Sequence, residues 1–582
     1  MCDAEKQHVT LHWKNIYVRT AKGRPLLEGV SGVGGVYANG QELGSAMTGV
    51  CGYVQQEDLF LGTLTVEEHL TIQALMRLSG TMDARQRARR VEEVMRSMLL
   101  DNARGSRIGT PGVKKGISGG ELKRLAFATV LLKQPPLLFC DEPTTGLDSH
   151  MSAVVVKRLE MLAANGMTVV CTIHQPNAET FEIFDKVNRK LYFTNCEVVF
   201  LCQGRIAFIG SPLNAVHFFG SAGYLLPERT NPANFFINTL AFNPDHPKDS
   251  RERGTKICDA FAKSEYKQLC DAQIEEAARP RQLHAIPPPG LIILFFALWK
   301  RYLIDNYRTP SVVAAKFAQK AFMGLFLGLL YYQHWKYFTT QNGVQNLKGS
   351  LFYYISELTY ATLYGIQSYL PGDFPLLIRE YHDGIFPTSA YYVARLLSYV
   401  PIFSIDGILF VSISYWFIGF SASITRFMLT LFVGLLVELS SASLGIMICS
   451  VTPSYSIAIA VSGPVLTLFS LTGGIFTNVS VMPDWSRWIQ YLSWFRYAYE
   501  ALIVNEWSNP IYSHIPCVMG SNRAIERNVS DAKCLHNGDE VIRSLNFSKD
   551  NLLFNLAVMP LGVVVIYTMG YIGLVVRVRK AR

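Results

Sequence analysis

Two hydrophobic patterns divide the chain. Through residue 285 or so, short apolar runs are broken by charged stretches, as in a mixed soluble domain. From residue 290 onward the apolar runs lengthen toward the ~20 residues that cross a bilayer as a helix. Six such runs predict spans at 311–333, 350–371, 390–418, 427–450, 455–477 and 554–577. Ahead of them, "GLIILFFALWKRYLIDNYRTP" (290–310) starts apolar and then gains Lys300, Arg301 and Arg308. This predicts an amphipathic helix at the membrane interface. In the first half, "PPLLFC" and "MTVVCTI" read as buried parallel strands, because they are apolar at consecutive rather than alternate positions.

Composition supports the division. Of 582 residues, 49% are hydrophobic and only 17% charged, too apolar for an ordinary soluble protein of this length. The net charge of +9 raises the possibility of nucleic-acid binding, but no basic stripe interleaves with aromatics. Basic residues flanking membrane spans account for it, so no nucleic-acid partner is expected. The opening "MCDAEKQHVTLHWKN" has no apolar core segment, and a cytosolic first half is expected. The closing "RVRKAR" places the other end on the same side, which an even number of spans satisfies. Asn478, Asn528 and Asn546 carry the N-x-S/T pattern, and all three fall in the polar stretch 478–550 between the last two spans. That loop is expected to face a lumen or the exterior, with glycan on Asn528 or Asn546; Asn478 sits close to the membrane. Cys517 and Cys534 lie in the same loop and form a candidate disulfide. The other nine of the 11 cysteines show no zinc spacing and read as reduced packing residues.

Chemistry-bearing stretches of the first half follow one another in order. "GYVQQEDLF" offers Gln56 after a strand. "KKGISGGELKRLAFA" opens a helix on Ser118, Gly119 and Gly120. "PPLLFCDEPTTGLDS" ends a strand in Asp141 and Glu142, and "MTVVCTIHQP" ends one in His174. Two acids at the carboxyl edge of a parallel sheet sit where ligands bind. The first can hold Mg²⁺ and the second can orient an attacking water. A glycine turn at a helix start offers N–H groups to a phosphate. Gln56 can bridge metal and water, and His174 can contact a γ-phosphate. Each stretch alone has a plainer reading: a solvated strand end, a core histidine, a helix cap. Their occurrence together and in this order favours the catalytic one.

ISGGE, LLFCDEP, GLDS and TIHQP, ahead of six spans, resemble the ATP-binding cassette transporters of subfamily G, half-transporters with the nucleotide domain first. The resemblance covers essentially the whole chain. It implies an α/β nucleotide-binding domain of the ABC ATPase type at 1–245, a linker at 246–289 and an all-α six-helix transmembrane domain at 290–582. By resemblance, Gln56 is the Q-loop glutamine and shares the metal with Asp141, the Walker B residue. Glu142 is the catalytic glutamate, Asp148 the D-loop aspartate and His174 the switch histidine. Ser118, Gly119 and Gly120 are the signature. Leu122 stands where Arg is usual, and Asn234 where Asp is usual in "NPANFF". "YLSWFRYAYEALIVNEW" and "SLNFS" are most similar to the insect white and scarlet group. That resemblance implies ATP and Mg²⁺ as cofactors and transport of small tryptophan- or guanine-derived pigment precursors. It also implies pairing with a second half-transporter, identical or not, in a pigment-granule, endosomal or plasma membrane.

One part of the pattern is absent. After "LLEGVSGV" the family continues into a strand, then Gly-x-x-x-x-Gly-Lys-Ser/Thr, then a helix. Here Val33 runs directly into "GGVYANGQELG", and the triplet Gly-Lys-Ser/Thr occurs nowhere in the chain. A strand–loop–helix unit of ~30 residues or somewhat more is missing. This predicts weak ATP binding at the chain's own site and an unpaired edge beside the strand that ends in Asp141. Extra residues at 188–197 depart from the pattern in the opposite direction. The alternative reading is a catalytically silent isoform, or the product of altered exon boundaries, that pairs with an intact half-transporter. Within the spans, Glu357, Asp406 and Glu438 are ionisable residues that normally face a bundle interior. Glu357 or Glu438 is a candidate for the substrate path.

Overall fold

The computed structural model describes residues 11–19, 25–38, 41–42, 47–110, 115–173, 197–228, 230–277, 289–332, 341–476, 483–515 and 534–581. Two units are present. One holds Met1–Ala297 with His382–Ile385, the other Leu298–Tyr381 with Phe386–Arg582.

The first unit begins with an antiparallel sheet of β1 (Leu11–Arg19), β2 (Pro25–Ala38) and β3 (Gln41–Glu42), in that order. β2 runs through the Val33–Gly34 junction. Ser31 pairs with Asn15, and Gly35 pairs with the very next residue, Lys14. Residues 32–34 therefore form a bulge at the junction, and pairing resumes on both sides of it.

A parallel sheet follows, made of β4 (Cys51–Val54), β5 (Leu137–Cys140) and β6 (Thr168–Cys171). The unpaired edge expected beside β5 is not found. β5 is hydrogen-bonded to β4 on one flank and β6 on the other. Both neighbours are encoded downstream of the junction, so the missing unit takes neither away. Among the described pairings, β4 and β6 are the edge strands, each bonded on one flank. Helices α1 (Val66–Leu78), α2 (Ala84–Ser97) and α3 (Gly119–Leu131) connect β4 to β5, and α4 (Ser149–Ala164) connects β5 to β6. Capping boxes start α1 at Thr65 with Glu68 and α2 at Asp83 with Gln86, each satisfying two end N–H groups. Leu125, Phe127, Leu131, Leu137, Leu138 and Val155 are buried in the core around this sheet.

The segment 246–289, expected as a linker, carries α7 (Pro247–Ala262) and α8 (Glu265–Ala277). They follow the hairpin of β7 (Val198–Cys202) and β8 (Arg205–Gly210) and the helices α5 (Pro212–Ser221) and α6 (Pro232–Leu240). Ile257 and Phe261 of α7 enter an aromatic cluster with Phe208, Phe218, Phe219 and Phe236. The Phe208 and Phe218 rings stack at 5.3 Å. Burying these rings accounts for the packing of α7 against β8.

In the second unit the expected spans correspond to α10 (Pro310–Leu330), part of α11 (Gln341–His382), α12 (Thr388–Ile418), α13 (Ile424–Val451), α14 (Tyr455–Leu471) and α17 (Leu552–Lys580), with α9 (Leu291–Tyr307) ahead of them. Among the described residues, four helical stretches are long and apolar enough to cross a membrane: those of α10, α12, α13 and α17. α11 is 42 residues long and carries Pro371, Pro375 and several polar residues; α14 has 17 residues. Helix α15 (Trp494–Trp507) is almost wholly buried, and α16 (Gly538–Ser544) follows it. Arg301, part of the helix read in sequence as interfacial, is enclosed by protein and not exposed on that helix. It is buried and donates to both Glu380 carboxylate oxygens, at 2.7 and 2.9 Å. Arg577, near the end of α17, donates to the carbonyls of Cys449 and Thr452 and so caps α13.

Candidate functional site

Register brings the site together. Val54, Cys140 and Cys171 lie side by side at the ends of three parallel strands. The residues that follow them therefore emerge at a single sheet edge. Gln56 Nε2 donates to Glu142 Oε2 at 2.7 Å, and Thr145 Oγ1 donates to the same oxygen at 2.8 Å. Thr172 Oγ1 donates to Asp141 Oδ1 at 2.8 Å and accepts from the Glu142 N–H at 2.9 Å. Tyr53 donates to Asp141 Oδ2 at 3.3 Å. Burial raises the Tyr53 phenol above its ordinary pKa, and the Asp141 carboxylate adds to the rise. Glu142 has φ +44°, a left-handed conformation uncommon for any residue but glycine. Its position between Gln56 and Thr145 holds it there, as strained residues at functional sites are held.

Ser118 caps α3 through a box with Glu121. The serine oxygen accepts from the Glu121 N–H, and the glutamate accepts from the Ser118 N–H at 2.9 Å. The plainer role of Ser118 as a helix cap is therefore real, and it fixes the turn that the signature reading requires. The two glycines differ. A Cβ on Gly119 would meet nothing within 4 Å, so its backbone is open to approach. A Cβ on Gly120 would stand 2.8 Å from Met151 Cε, the tip of a flexible side chain at the start of α4. Asp148 caps α4, accepting from the Met151 N–H at 2.7 Å. It stands at the same α3–α4 contact.

Sequence reasoning missed three residues here. Lys123 is buried and donates to the carbonyls of Gln55 at 3.1 Å and Gln56 at 2.9 Å. Tyr53 and Thr172 bind Asp141. Each is a lone polar residue inside a strand or helix pattern and carries no motif of its own. His174, Cys517, Asn478 and Asn528 lie outside the described residues. Cys534 is disulfide-bonded. Asn546 is exposed, just before α17.

Asp141, Glu142 and Gln56 form an oxygen-rich edge of the kind that holds Mg²⁺. Among the described residues, none that grips a nucleotide's phosphates stands beside it. β2 passes through the place in the sequence where the glycine loop, its lysine and its following helix belong, and continues into antiparallel pairing with β1 and β3. The described residues of this edge do not by themselves fit ATP.

In the helical unit, Glu357 pairs with Lys320 of α10 at 3.8 Å. Glu438 of α13 and Asp406 of α12 are both buried. The structure thus separates the two acids singled out in sequence: one has a cation partner, the other a carboxyl neighbour.

Residues 29–145 match the family described as ABC transporter, and residues 293–507 the family described as ABC-2 type transporter. The chain is 37% identical over 563 residues to the ABC transporter ATP-binding protein/permease wht-3 of Caenorhabditis elegans, covering 96% of this chain and 85% of that one. It is 35% identical over 556 residues to Protein scarlet of Drosophila melanogaster, with 94% and 80% covered. To Protein white of the same fly it is 34% identical over 549 residues, with 93% and 76% covered.

Proposed function

This chain belongs to the ABC-G half-transporter family, an ATP-driven class of multi-pass membrane transporters for small molecules, and from that premise we propose that it supplies one incomplete motor to a dimeric pump. Its contribution is the signature turn Ser118–Gly119–Gly120, which completes a nucleotide site whose phosphate cradle comes from a partner half-transporter. The observation that carries this reading is the contrast within the first unit. The signature turn is built, capped and open at Gly119, while among the described residues no phosphate cradle stands beside the Asp141–Glu142 edge. Substrates are small pigment precursors derived from tryptophan or guanine, a reading supported by the similarity to scarlet and white. The first unit and the chain's end are cytosolic, the loop 478–550 faces a granule or endosomal lumen or the exterior, and Glu438 lies along the substrate path.

The test is the chain co-expressed with an intact half-transporter, with ATPase measured on the purified pair. Ser118→Arg abolishes the pair's activity, whereas Glu142→Gln leaves it unchanged. The homodimer shows no specific ATPase. Strong activity from this chain alone, lost on Glu142→Gln, overturns the proposal.

A further inference from the structure

Five ionisable side chains converge inside the helical unit from four helices. Lys316 and Lys320 come from α10, Glu357 from α11, Asp406 from α12 and Glu438 from α13. Lys320 is buried and pairs with Glu357. Lys316 lies 4.1 Å from the Phe403 ring centroid and 5.3 Å from that of Tyr369, within electrostatic reach of Asp406 and Glu438. Asp406 and Glu438 lie within hydrogen-bonding reach of each other. Gly407 makes this approach possible, since a Cβ there would collide with the Glu438 carboxyl.

Two observations point to an occupant. The first is that Asp406 Oδ1 and both Glu438 oxygens are buried with no donor, although Glu438 is only 2% exposed. Two carboxylates facing each other are acceptors only, and a proton between them is what turns the contact into a hydrogen bond. The second is the charge count. Two ammonium groups face three carboxyls, so the cluster is neutral when one proton is bound, and an unbalanced charge at membrane depth is costly. The remaining titratable groups around the pair, Tyr399 and Tyr567 of the adjoining small cavity and Tyr369 beside Lys316, are neutral phenols and leave the count unchanged. Glu438 lines that cavity with Phe403 and Ser404.

We propose that Asp406 and Glu438 share one exchangeable proton, forming a proton-binding site within the transmembrane helices. The pair bridges α12 and α13, so any transport step that parts these helices releases or captures that proton. The site exists whichever small molecule the pump carries.

The test is infrared difference spectroscopy of the full chain in membranes, at a pH above the ordinary carboxylate range, following the deuterium-sensitive carbonyl stretch of a protonated carboxylic acid. The wild type shows the band. Asp406→Asn and Glu438→Gln each abolish it, because either removes one of the two facing carboxyls. Lys320→Met doubles it by calling in a second proton. Glu357→Gln keeps both pair members facing each other and so retains the band, which assigns the band to the pair. The proposal is overturned if the wild type lacks the band, if the band survives either single replacement within the pair, or if Glu357→Gln removes it.

Discussion

The Lys123 ammonium donates to the Gln56 carbonyl at 2.9 Å, tying the second turn of the signature helix to the segment that leaves β4. The Gln55 carbonyl and the Asp58 carboxylate, at 3.5 Å, complete its surroundings. A buried cation is tolerated because these oxygens replace its water. The contact also couples two parts of the site, since α3 cannot shift without moving the backbone that carries Gln56.

Replacing Lys123 by Met keeps most of the length of the side chain and removes its charge. Two partly buried carbonyls then lose their donor, at up to about 1–3 kcal/mol each. We expect faster amide exchange across residues 55–58 and a lower unfolding midpoint for the first unit. Exchange rates equal to the wild type would mean that Lys123 is a passenger.

Arg301 and Glu380 form a closed buried pair, so removing one partner strands the other. Arg301→Met is expected to lose ~3–5 kcal/mol, while Arg301→Met combined with Glu380→Leu recovers most of it. Thermal unfolding of the two single variants and the double in detergent measures the coupling. Additive losses would show that the pair is not a unit.

Cys51 and Cys171 end or begin strands on either flank of β5. Burial lifts both thiols from 9.0 to about 11. The folded sheet holds them neutral while the unfolded chain ionises them, so the unfolded state binds fewer protons once the pH passes 9. Stability is full below that value and falls as the pH rises toward about 11. Unfolding midpoints recorded across this window should drop for the wild type and flatten for Cys51→Ala/Cys171→Ala. Parallel curves for the two proteins would refute the assignment.

For the loop 478–550, glycosidase treatment is expected to shift the mobility of the membrane-derived protein, and Asn528→Gln with Asn546→Gln to remove the shift. On a non-reducing gel, Cys517→Ser and Cys534→Ser are expected to share one altered mobility, as two ends of one disulfide must. Unequal effects would assign Cys534 a different partner.

The sheet edge was legible in sequence because each of its parts sits where an apolar run stops. Asp141 and Glu142 follow "LLFC", and Gln56 follows "GYV". What stayed hidden depends on distance along the chain. Arg301 reads as an interfacial charge until Glu380, 79 residues away, folds over it. Lys316 and Lys320, inside the span predicted at 311–333, give no sign in sequence that three acids gather around them. Glu506, inside an apolar stretch, gives no sign that it accepts from the Ser421 N–H and hydroxyl and from Tyr512. The segment 246–289 looks like a linker because it is charged, yet a few residues, Ile257 and Phe261 among them, suffice to dock it. The unpaired edge was misplaced because strand order cannot be read from chain order.

The bulge at residues 32–34 has a meaning for protein engineering. Asn15 and Lys14 are consecutive, so the chain ends on either side of the seam are already held a few ångströms apart by their partners on β1. A segment that leaves and re-enters at neighbouring points behaves as a detachable module. Grafting a strand, glycine loop and helix between Val33 and Gly34 therefore asks nothing of the surrounding ladder, and the seam marks a natural socket for restoring a complete motor to this chain.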